Sequence, residues 1–373
     1  MDTTDTNISF DKNGVCNHCL DRDFRTEQFP KNAEEAQSRL QKMAEEIIHY
    51  GKNRTYDSLI GLSGGLDSSY LLYLAKQVNL KPLVVHFDNG WNSELAVKNI
   101  ENLVKTLDLD LQTFVIDWEE FRDLQRSFLK ASVVDIEILT DQAIISSMFK
   151  LARENEIKYI LYGNNFATET HLPQSWTWVK LDAKNIKSIQ KLYGTMKIRS
   201  FPLMGVMKYT LMQVLMGYRF IPLLNLIQYN KDQAIKILKR ECGWKEYGGK
   251  HSESIFTTFY QNYILPRKFY IDKRKSHLSS LICSEHISRE EALEEIKQPP
   301  YSSLELEHDK DYIIKKLGFS PKEFDEIMAT PPRSHLEYPS EYYIYKSLSF
   351  IKKSILRKVK LGNLISNATT KKI

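Results

Sequence analysis

The chain predicts an α/β fold: a mostly parallel sheet with helices on both faces, followed by a mostly helical C-terminal region. Three observations carry this. Short apolar runs, Ser58-Leu59-Ile60-Gly61-Leu62, Leu83-Val84-Val85-His86-Phe87 and Tyr159-Ile160-Leu161-Tyr162, alternate with stretches of helical periodicity. Each run ends in glycine or polar residues, as strands do where an open α/β sheet binds its ligand. After about residue 200 the alternation stops and helical stretches dominate.

The 373 residues suffice for two domains and a substantial core. A hydrophobic content of 42% with 27% charged residues is that of a soluble globular protein. The net charge of +5 accommodates an anionic substrate and does not argue for nucleic acid. Four cysteines do not suggest a disulfide framework, and a reducing cytoplasm fits. The N-terminus, Met-Asp-Thr-Thr-Asp-Thr, lacks the apolar core of a signal peptide. Leu203 to Tyr229 is the most apolar stretch, but Lys208 and Arg219 interrupt it, and no run of about 18 uncharged apolar residues remains. It reads as helix packed on the core, against a second reading as a membrane-surface or partner-binding face.

Residues 1–30 are polar and irregular around Cys16-Asn17-His18-Cys19. That Cys-x-x-Cys spacing suits either one edge of a tetrahedral Zn²⁺ site or a free thiol pair, with His18 pointing elsewhere. Ala33 to Ile48 carries apolar residues three and four apart and reads as a helix. The first strand follows, then Ser63-Gly64-Gly65-Leu66-Asp67-Ser68-Ser69, then a helix to about Val78. Strand, glycine turn and helix build an anion site. Two glycines let the backbone approach a phosphate, and N–H groups of the turn and first helical turn point at it. Ser63, Ser68 and Ser69 add hydroxyls. Asp67 makes sense in an anion site only with a cation, and a carboxylate beside a polyphosphate is a natural Mg²⁺ ligand.

The second strand, led in by Lys81-Pro82, ends in Asp88-Asn89-Gly90-Trp91. Asp88 and Asn89 are candidates to contact a nucleotide or its metal; the competing reading is a plain Asp-Asn-Gly turn. A helix from Ser93 to Leu107, a third strand near Gln112 to Ile116 and a helix from Leu139 to Glu154 come next. The fourth strand ends in Gly163-Asn164-Asn165, with Glu169-Thr170 a little later; Gly163 and Asn164 should share a rim with the glycine turn. Beyond residue 200, Asn230 opens a helix and Ser288 caps another. Tyr247-Gly248-Gly249-Lys250-His251-Ser252-Glu253-Ser254 is a second glycine-rich element, either a surface turn or a place where Lys250 and His251 meet phosphate. Lys273 and Arg274 belong to a basic cluster that is either functional or a solvated face. The basic tail from Ile351 reads as frayed. The expected division is 1–30, a cysteine-bearing segment; 31–200, the phosphate-binding domain; and 201–373, a substrate or partner region.

The loop lacks the lysine of the mononucleotide P-loop and the spacing of the dinucleotide fingerprint. It resembles the Ser-Gly-Gly-x-Asp-Ser-Ser pyrophosphate loop (PP-loop) of the ATP pyrophosphatases, which cleave ATP between its α and β phosphates. The resemblance implies their Rossmann-like, adenine nucleotide alpha hydrolase-like fold, with ATP and Mg²⁺ at the loop. Together with Asp88-Asn89-Gly90-Trp91-Asn92-Ser93, Ile221-Pro222-Leu223-Leu224-Asn225, Tyr247-Gly248-Gly249-Lys250-His251 and Asp272-Lys273-Arg274-Lys275-Ser276-His277-Leu278-Ser279, it resembles the N-acetyl sugar amidotransferases of bacterial surface-polysaccharide pathways, over residues 5 to 300. The Tyr-Gly-Gly-Lys-His element is also similar to one in the synthetase domain of asparagine synthetases.

That resemblance implies adenylation of the acetamido oxygen of a nucleotide-linked sugar and displacement of AMP by ammonia, for lipopolysaccharide, O-antigen or a related glycan. Asp67, Lys250, His251, Lys273 and Arg274 would serve the reaction. Ser63, Gly64, Gly65, Asp67, Ser68, Ser69, Asp88, Asn89, Gly163 and Asn164 would bind the cofactor. Family members usually carry a further cysteine pair just before the segment that here starts at Met1, so zinc on Cys16 and Cys19 alone is incomplete and an upstream start is expected. Asp2 is not the cysteine of an N-terminal-nucleophile glutaminase, and no cysteine sits in a nucleophile elbow. A separate glutaminase and a channel-forming subunit are therefore expected. The rival enzyme is a tRNA-modifying PP-loop ATP pyrophosphatase of the thiolase or lysidine-synthetase type. The rival from another class is a catalytically idle nucleotide-binding partner. NAD synthetase fits less well, because the helical half is too long for it.

Overall fold

The structure is a computed structural model that describes residues 1–26, 29–165, 171–247 and 253–351. Five strands, β1 (Ser58–Gly61), β2 (Pro82–Asp88), β3 (Leu111–Val115), β4 (Tyr159–Leu161) and β5 (Arg219–Ile221), form one parallel sheet in the order β3-β2-β1-β4-β5. Ser58 faces Pro82 on one side and Tyr159 on the other, so β1 is central. The chain runs outward from β1 to β3, then returns to the other side of β1 to enter β4. That reversal opens a crevice at the carboxyl ends of β1 and β4.

The helices before and within the sheet are α1 (Asn17–Thr26), α2 (Ala33–Gly51), α3 (Leu66–Gln77), α4 (Glu94–Leu107), α5 (Trp118–Ala131), α6 (Ile138–Glu154), α7 (Ala183–Tyr193), α8 (Val206–Val214) and α9 (Lys231–Cys242). Beyond them lie α10 (Ile255–Phe259), a π-helical turn at Tyr260–Ile264, α11 (Leu265–Lys268), α12 (Arg274–Cys283), α13 (Arg289–Lys297), α14 (Ser303–Leu317) and α15 (Pro321–Ala329). Local chemistry sets many of their starts. Asn32, Ser93, Asp117, Asp182 and Asn230 each cap a helix through a side-chain oxygen, and Ser288 closes a capping box with Glu291.

Strand periodicity assigns the two faces. Ile60 and Val84 point into a core with Leu40, Leu72, Leu103 and Leu238 from α2, α3, α4 and α9. Leu59, Leu83 and Val85 point the other way, onto Phe149 of α6 and Val206 and Met212 of α8. A third core is mostly helical: Phe121, Phe128 and Ile186 of α5 and α7 pack with Phe256, Phe259, Leu317 and Phe324 from the C-terminal helices.

The sheet layer and the helical core each draw on both sides of residue 200. β5 and α9, both beyond it, complete the sheet layer, while α5 and α7, before it, join the C-terminal helices. The apolar stretch 203–229 was expected to be helical and yields α8, then the three-residue strand β5. Gly217, at φ +70°, turns the chain between them. Two buried carboxylates hold the long connection after α7. Glu120 accepts from the backbone N–H of Ser200 at 2.9 Å, and Asp123 accepts from those of Thr195 and Met196 at 2.9 and 2.8 Å.

Candidate active site

The pyrophosphate-type loop sits where the sequence places it, between β1 and α3. Gly64 adopts φ +82°, and a Cβ there would stand 2.7 Å from the carbonyl oxygen of Ala96 on α4. Only glycine meets both constraints. Gly65 occupies the N-cap position of α3 and gives it no side-chain cap. With no side-chain cap from Gly65, the N-terminus of α3 offers the electrostatic setting that draws an anion. Ser63 and Ser68 line the turn with their hydroxyls 3.1 Å apart, and Ser68 also donates to the Gly65 carbonyl at 3.2 Å.

Ser69 departs from expectation. It is fully buried, with a hydroxyl that has no hydrogen-bond partner among the described residues, and its N–H is bonded to Gly65. Its position in the first turn of α3 aims the side chain inward, so its hydroxyl is not presented to a phosphate.

Asp67 lies half-buried at the start of α3 and accepts a hydrogen bond from the Tyr229 hydroxyl. Tyr229 also packs against Tyr70, with ring centroids 5.8 Å apart. A half-buried carboxylate at the start of α3 suits a hard divalent cation, so Asp67 would hold Mg²⁺. Gly163, at the end of β4, lies against this same turn. A Cβ there would stand 2.9 Å from the Ser68 nitrogen. Asn164 is exposed just beyond it.

Asp88 and Asn89 sit at the end of β2, on the expected rim, and both are used by the turn. Asp88 accepts from Gly90 N at 2.8 Å and Asn92 Nδ2 at 3.1 Å; Asn89, mostly buried, accepts from Trp91 N at 3.1 Å. His86, to which the sequence assigned no role, ties the two strand ends together. Its Nδ1 is 3.0 Å from the Leu62 carbonyl and its Nε2 3.1 Å from Asn92 Nδ2. A carbonyl can only accept, so Nδ1 carries the proton.

The second glycine-rich element approaches from the C-terminal side. Trp244 Nε1 and the Tyr247 hydroxyl both donate to the Gly64 carbonyl, each at 2.9 Å. Burial pushes the Tyr247 hydroxyl up to about 12, so it remains a donor throughout the working pH range. Asn99 of α4 holds the intervening backbone by bonding both N–H and carbonyl of Lys245 at 2.8 Å. On the far side, Asn92 and Ser254 form an antiparallel bridge, with Ser93 N donating to the Glu253 carbonyl at 2.9 Å. A Cβ on Gly65 would stand 3.2 Å from a Glu253 carboxylate oxygen. Lys250 and His251 lie outside the described residues, as do Gly248, Gly249, Glu169 and Thr170. Tyr247 and Glu253, which flank residues 248–252, both reach the loop.

The basic pair divides. Lys273 meets Glu137 at 3.2 Å, near the start of α6. Arg274 has protein partners. Its guanidinium is committed to Asp272 at 2.8 Å and to the Gln298 carbonyl at 2.8 Å, with Glu295 and Ile296 carbonyls at 3.3 Å. It clamps the C-terminus of α13, where carbonyls lack helical partners, and so is not offered to a phosphate.

Cys16 and Cys19 come together with sulfurs 3.5 Å apart, while His18 turns away onto Asp5 at 2.6 Å. Burial, and then the neighbouring thiols of Cys16 and Cys283, push the Cys19 thiol up to about 11. Among the described residues no group of three or more His, Cys, Asp or Glu side chains is placed to hold a metal ion, so the residues present do not fit zinc.

Residues 57–174 match the family model described as Queuosine biosynthesis protein QueC, and residues 253–352 match that of the LPS biosynthesis protein WbpG-like, C-terminal domain. The five-strand parallel sheet, with the glycine loop at its switch point, is a Rossmann-like fold of the PP-loop kind. The segment similar to QueC is thus followed along the chain by one similar to the WbpG-like C-terminal domain. A curated relative, the tRNA(Ile)-lysidine synthase of Chlamydia muridarum (strain MoPn / Nigg), is 26% identical over 178 residues, 47% of this chain and 52% of the relative. The chain thus spans about half the length of that protein. Among solved structures, the NH3-dependent NAD synthetase of Campylobacter jejuni subsp. jejuni NCTC 11168, in complex with the nitrate ion, is similar at TM-score 0.30 and 18% identity. The match covers 55% of this chain and 83% of that one. The NMN synthetase of Francisella tularensis is similar at TM-score 0.32 and 13% identity, over 69% and 94%.

Proposed function

We propose that this protein is an ATP-dependent amidotransferase that converts the N-acetyl group of a nucleotide-linked sugar into an acetamidino group, forming AMP and pyrophosphate. The observation that carries the reading is the join at the loop. The segment that opens the WbpG-like domain bridges Asn92 through Ser254, and Trp244 and Tyr247 just before it hold the Gly64 carbonyl. An acceptor bound by the C-terminal domain would thereby meet the ATP phosphates.

The acetamido oxygen attacks the α-phosphorus, the bond to the β-phosphate oxygen breaks, pyrophosphate leaves and the amide N–H proton is lost. Ammonia then adds to the imidate carbon, the C–O bond to AMP breaks, and proton transfer leaves an acetamidino group. An amide is a poor electrophile, and adenylation gives its oxygen a good leaving group. The first-turn N–H groups of α3 and the hydroxyls of Ser63 and Ser68 stabilise charge on the departing pyrophosphate. Mg²⁺, held by Asp67, would supply further charge neutralisation there. Lys273, Lys250 and His251 are proposed to serve the phosphates of ATP or of the sugar nucleotide. Ammonia is proposed to come from a separate glutaminase through a channel-forming subunit.

The test is mass spectrometry of a reaction with Mg·ATP, ammonium and a panel of nucleotide diacetamido sugars. AMP together with a product in which NH replaces O supports the reading. The lysidine-synthase relative favours a second reading, a tRNA acceptor. AMP formation stimulated by tRNA and by no sugar would establish that one instead.

A further inference from the structure

We propose that α8 and the helix at 342–351 form a docking surface for an anionic lipid bilayer. The outward face of α8 is apolar where a solvated helix is polar. Met207, Leu211 and Val214, with Leu215 directly after, recur at helical spacing and are 58%, 48%, 72% and 75% exposed. The inward face, Val206 and Met212, is buried on the sheet.

The helix at 342–351 lies alongside. Glu341 accepts from Val206 N at the start of α8, and Tyr342 and Leu348 enter the same core as Val206, Tyr209 and Met212. It too turns apolar side chains outward: Tyr343, Ile344, Tyr345, Phe350 and Ile351 are all exposed. Two neighbouring helices thus present aliphatic and tyrosine side chains to solvent, a far larger display than scattered surface residues.

Charge identifies the occupant. Residues 183–231, which contain α8, hold eight Lys and Arg residues and no Asp or Glu. Residues 342–373, which contain the second helix, again hold eight and none. These two stretches include none of the chain's 47 acidic residues, so the modest overall charge of +5 conceals a strongly positive pair of segments. The sequence continues past Ile351 as Lys352-Lys353-Ser354-Ile355-Leu356-Arg357-Lys358-Val359-Lys360, mixing cations with aliphatics. Nearby carboxylates are engaged: Glu46 pairs with Arg219 and Glu341 caps α8. Exposed aliphatics and tyrosines on helices that carry Lys208 and Lys346, the second running on in sequence into the basic tail, match a surface with an apolar interior and anionic headgroups. A water-soluble acidic partner would use the charge and leave the aliphatics uncovered.

The test is flotation of the full chain with vesicles of phosphatidylcholine alone and with phosphatidylglycerol added, at low and raised salt. We expect binding to the anionic vesicles at least about ten-fold above that to neutral ones, weakening as salt screens the charge. The double variant V214E/L215E should lower anionic-vesicle binding by about ten-fold or more. Its circular dichroism and ATP binding should stay unchanged; V214S/L215S gives a milder check that folding is intact. Absence of binding to anionic vesicles would overturn the proposal. So would undiminished binding by V214E/L215E, which would assign attachment to the lysines alone. Concentration-dependent self-association lost in V214E/L215E, without vesicle binding, would assign the face to a second copy of the chain.

Discussion

Gly163→Ala tests the join between strand end and loop helix directly. The added Cβ would lie 2.9 Å from Ser68 N, 3.0 Å from the Asp67 carbonyl carbon and 3.1 Å from Ser68 Cα. Ordinary contact begins near 3.4 Å, so roughly half an ångström must open. All three atoms are backbone, and no side chain can swing aside. Overpacking of this kind costs about 1–3 kcal/mol, which should appear as a lowered melting temperature. The displaced atoms belong to the turn proposed to hold the pyrophosphate. A misplacement of about 1 Å costs about a hundred-fold in rate, so half of it should cost about ten-fold in kcat/KM for AMP formation. Calorimetric ATP binding and an AMP-release assay read the two effects separately. Unchanged melting and unchanged ATP affinity would refute the described packing of β4 on α3. Lowered melting with unchanged kcat/KM would keep the packing and refute its coupling to the phosphates.

Tyr229→Phe removes the hydroxyl that donates to Asp67; we expect a three- to ten-fold fall in kcat/KM for Mg·ATP, about the worth of one such hydrogen bond, with a small change in melting. Arg274→Ala should lower stability by about 1.5–3 kcal/mol while leaving kcat per folded molecule unchanged, which urea titration and AMP release together would check; a large fall in kcat would return Arg274 to the catalytic set. His171 predicts an acid sensitivity. Burial holds its imidazole down to about 4, Nδ1 lies 3.2 Å from Ser280 Oγ, and Nε2 is buried without a hydrogen-bond partner among the described residues. Between pH about 6.5 and 4 the unfolded chain therefore binds a proton that the folded chain refuses. Stability should fall as pH drops through that window, by about 3 kcal/mol from this group. Urea midpoints of wild type and His171→Gln at neutral and acid pH would measure it, and an identical pH dependence in both would sink the assignment.

What was legible in the sequence was local. The loop between a strand and a helix is defined by adjacent glycines and by the apolar run before them, and the structure places it there. Helix starts at Ser93, Asn230 and Ser288 follow from side chains that bond their own backbone, a chemistry spanning three or four residues. The glycine-rich segment at 247–254 was recognisable as an element for the same reason.

What the tertiary structure decided is which side chains meet across long separations. Tyr229 reaches Asp67 from 162 positions away, and Trp244 and Tyr247 reach Gly64 from 180 and 183. No periodicity or turn signal encodes such partners, because they follow from how α9 packs over α3 and α4. Arg274 looked like a phosphate ligand by composition alone, and packing gave it the end of α13 instead. Ser69 looked equivalent to Ser68, and the phase of α3 turned its hydroxyl inward. The three-residue β5 was invisible because an edge strand so short has no period to read, and only pairing with β4 defines it. Sequence thus determined the loop and its place between strand and helix. The fold determined which residues hold that loop in place, since burial and pairing are properties of the packed chain.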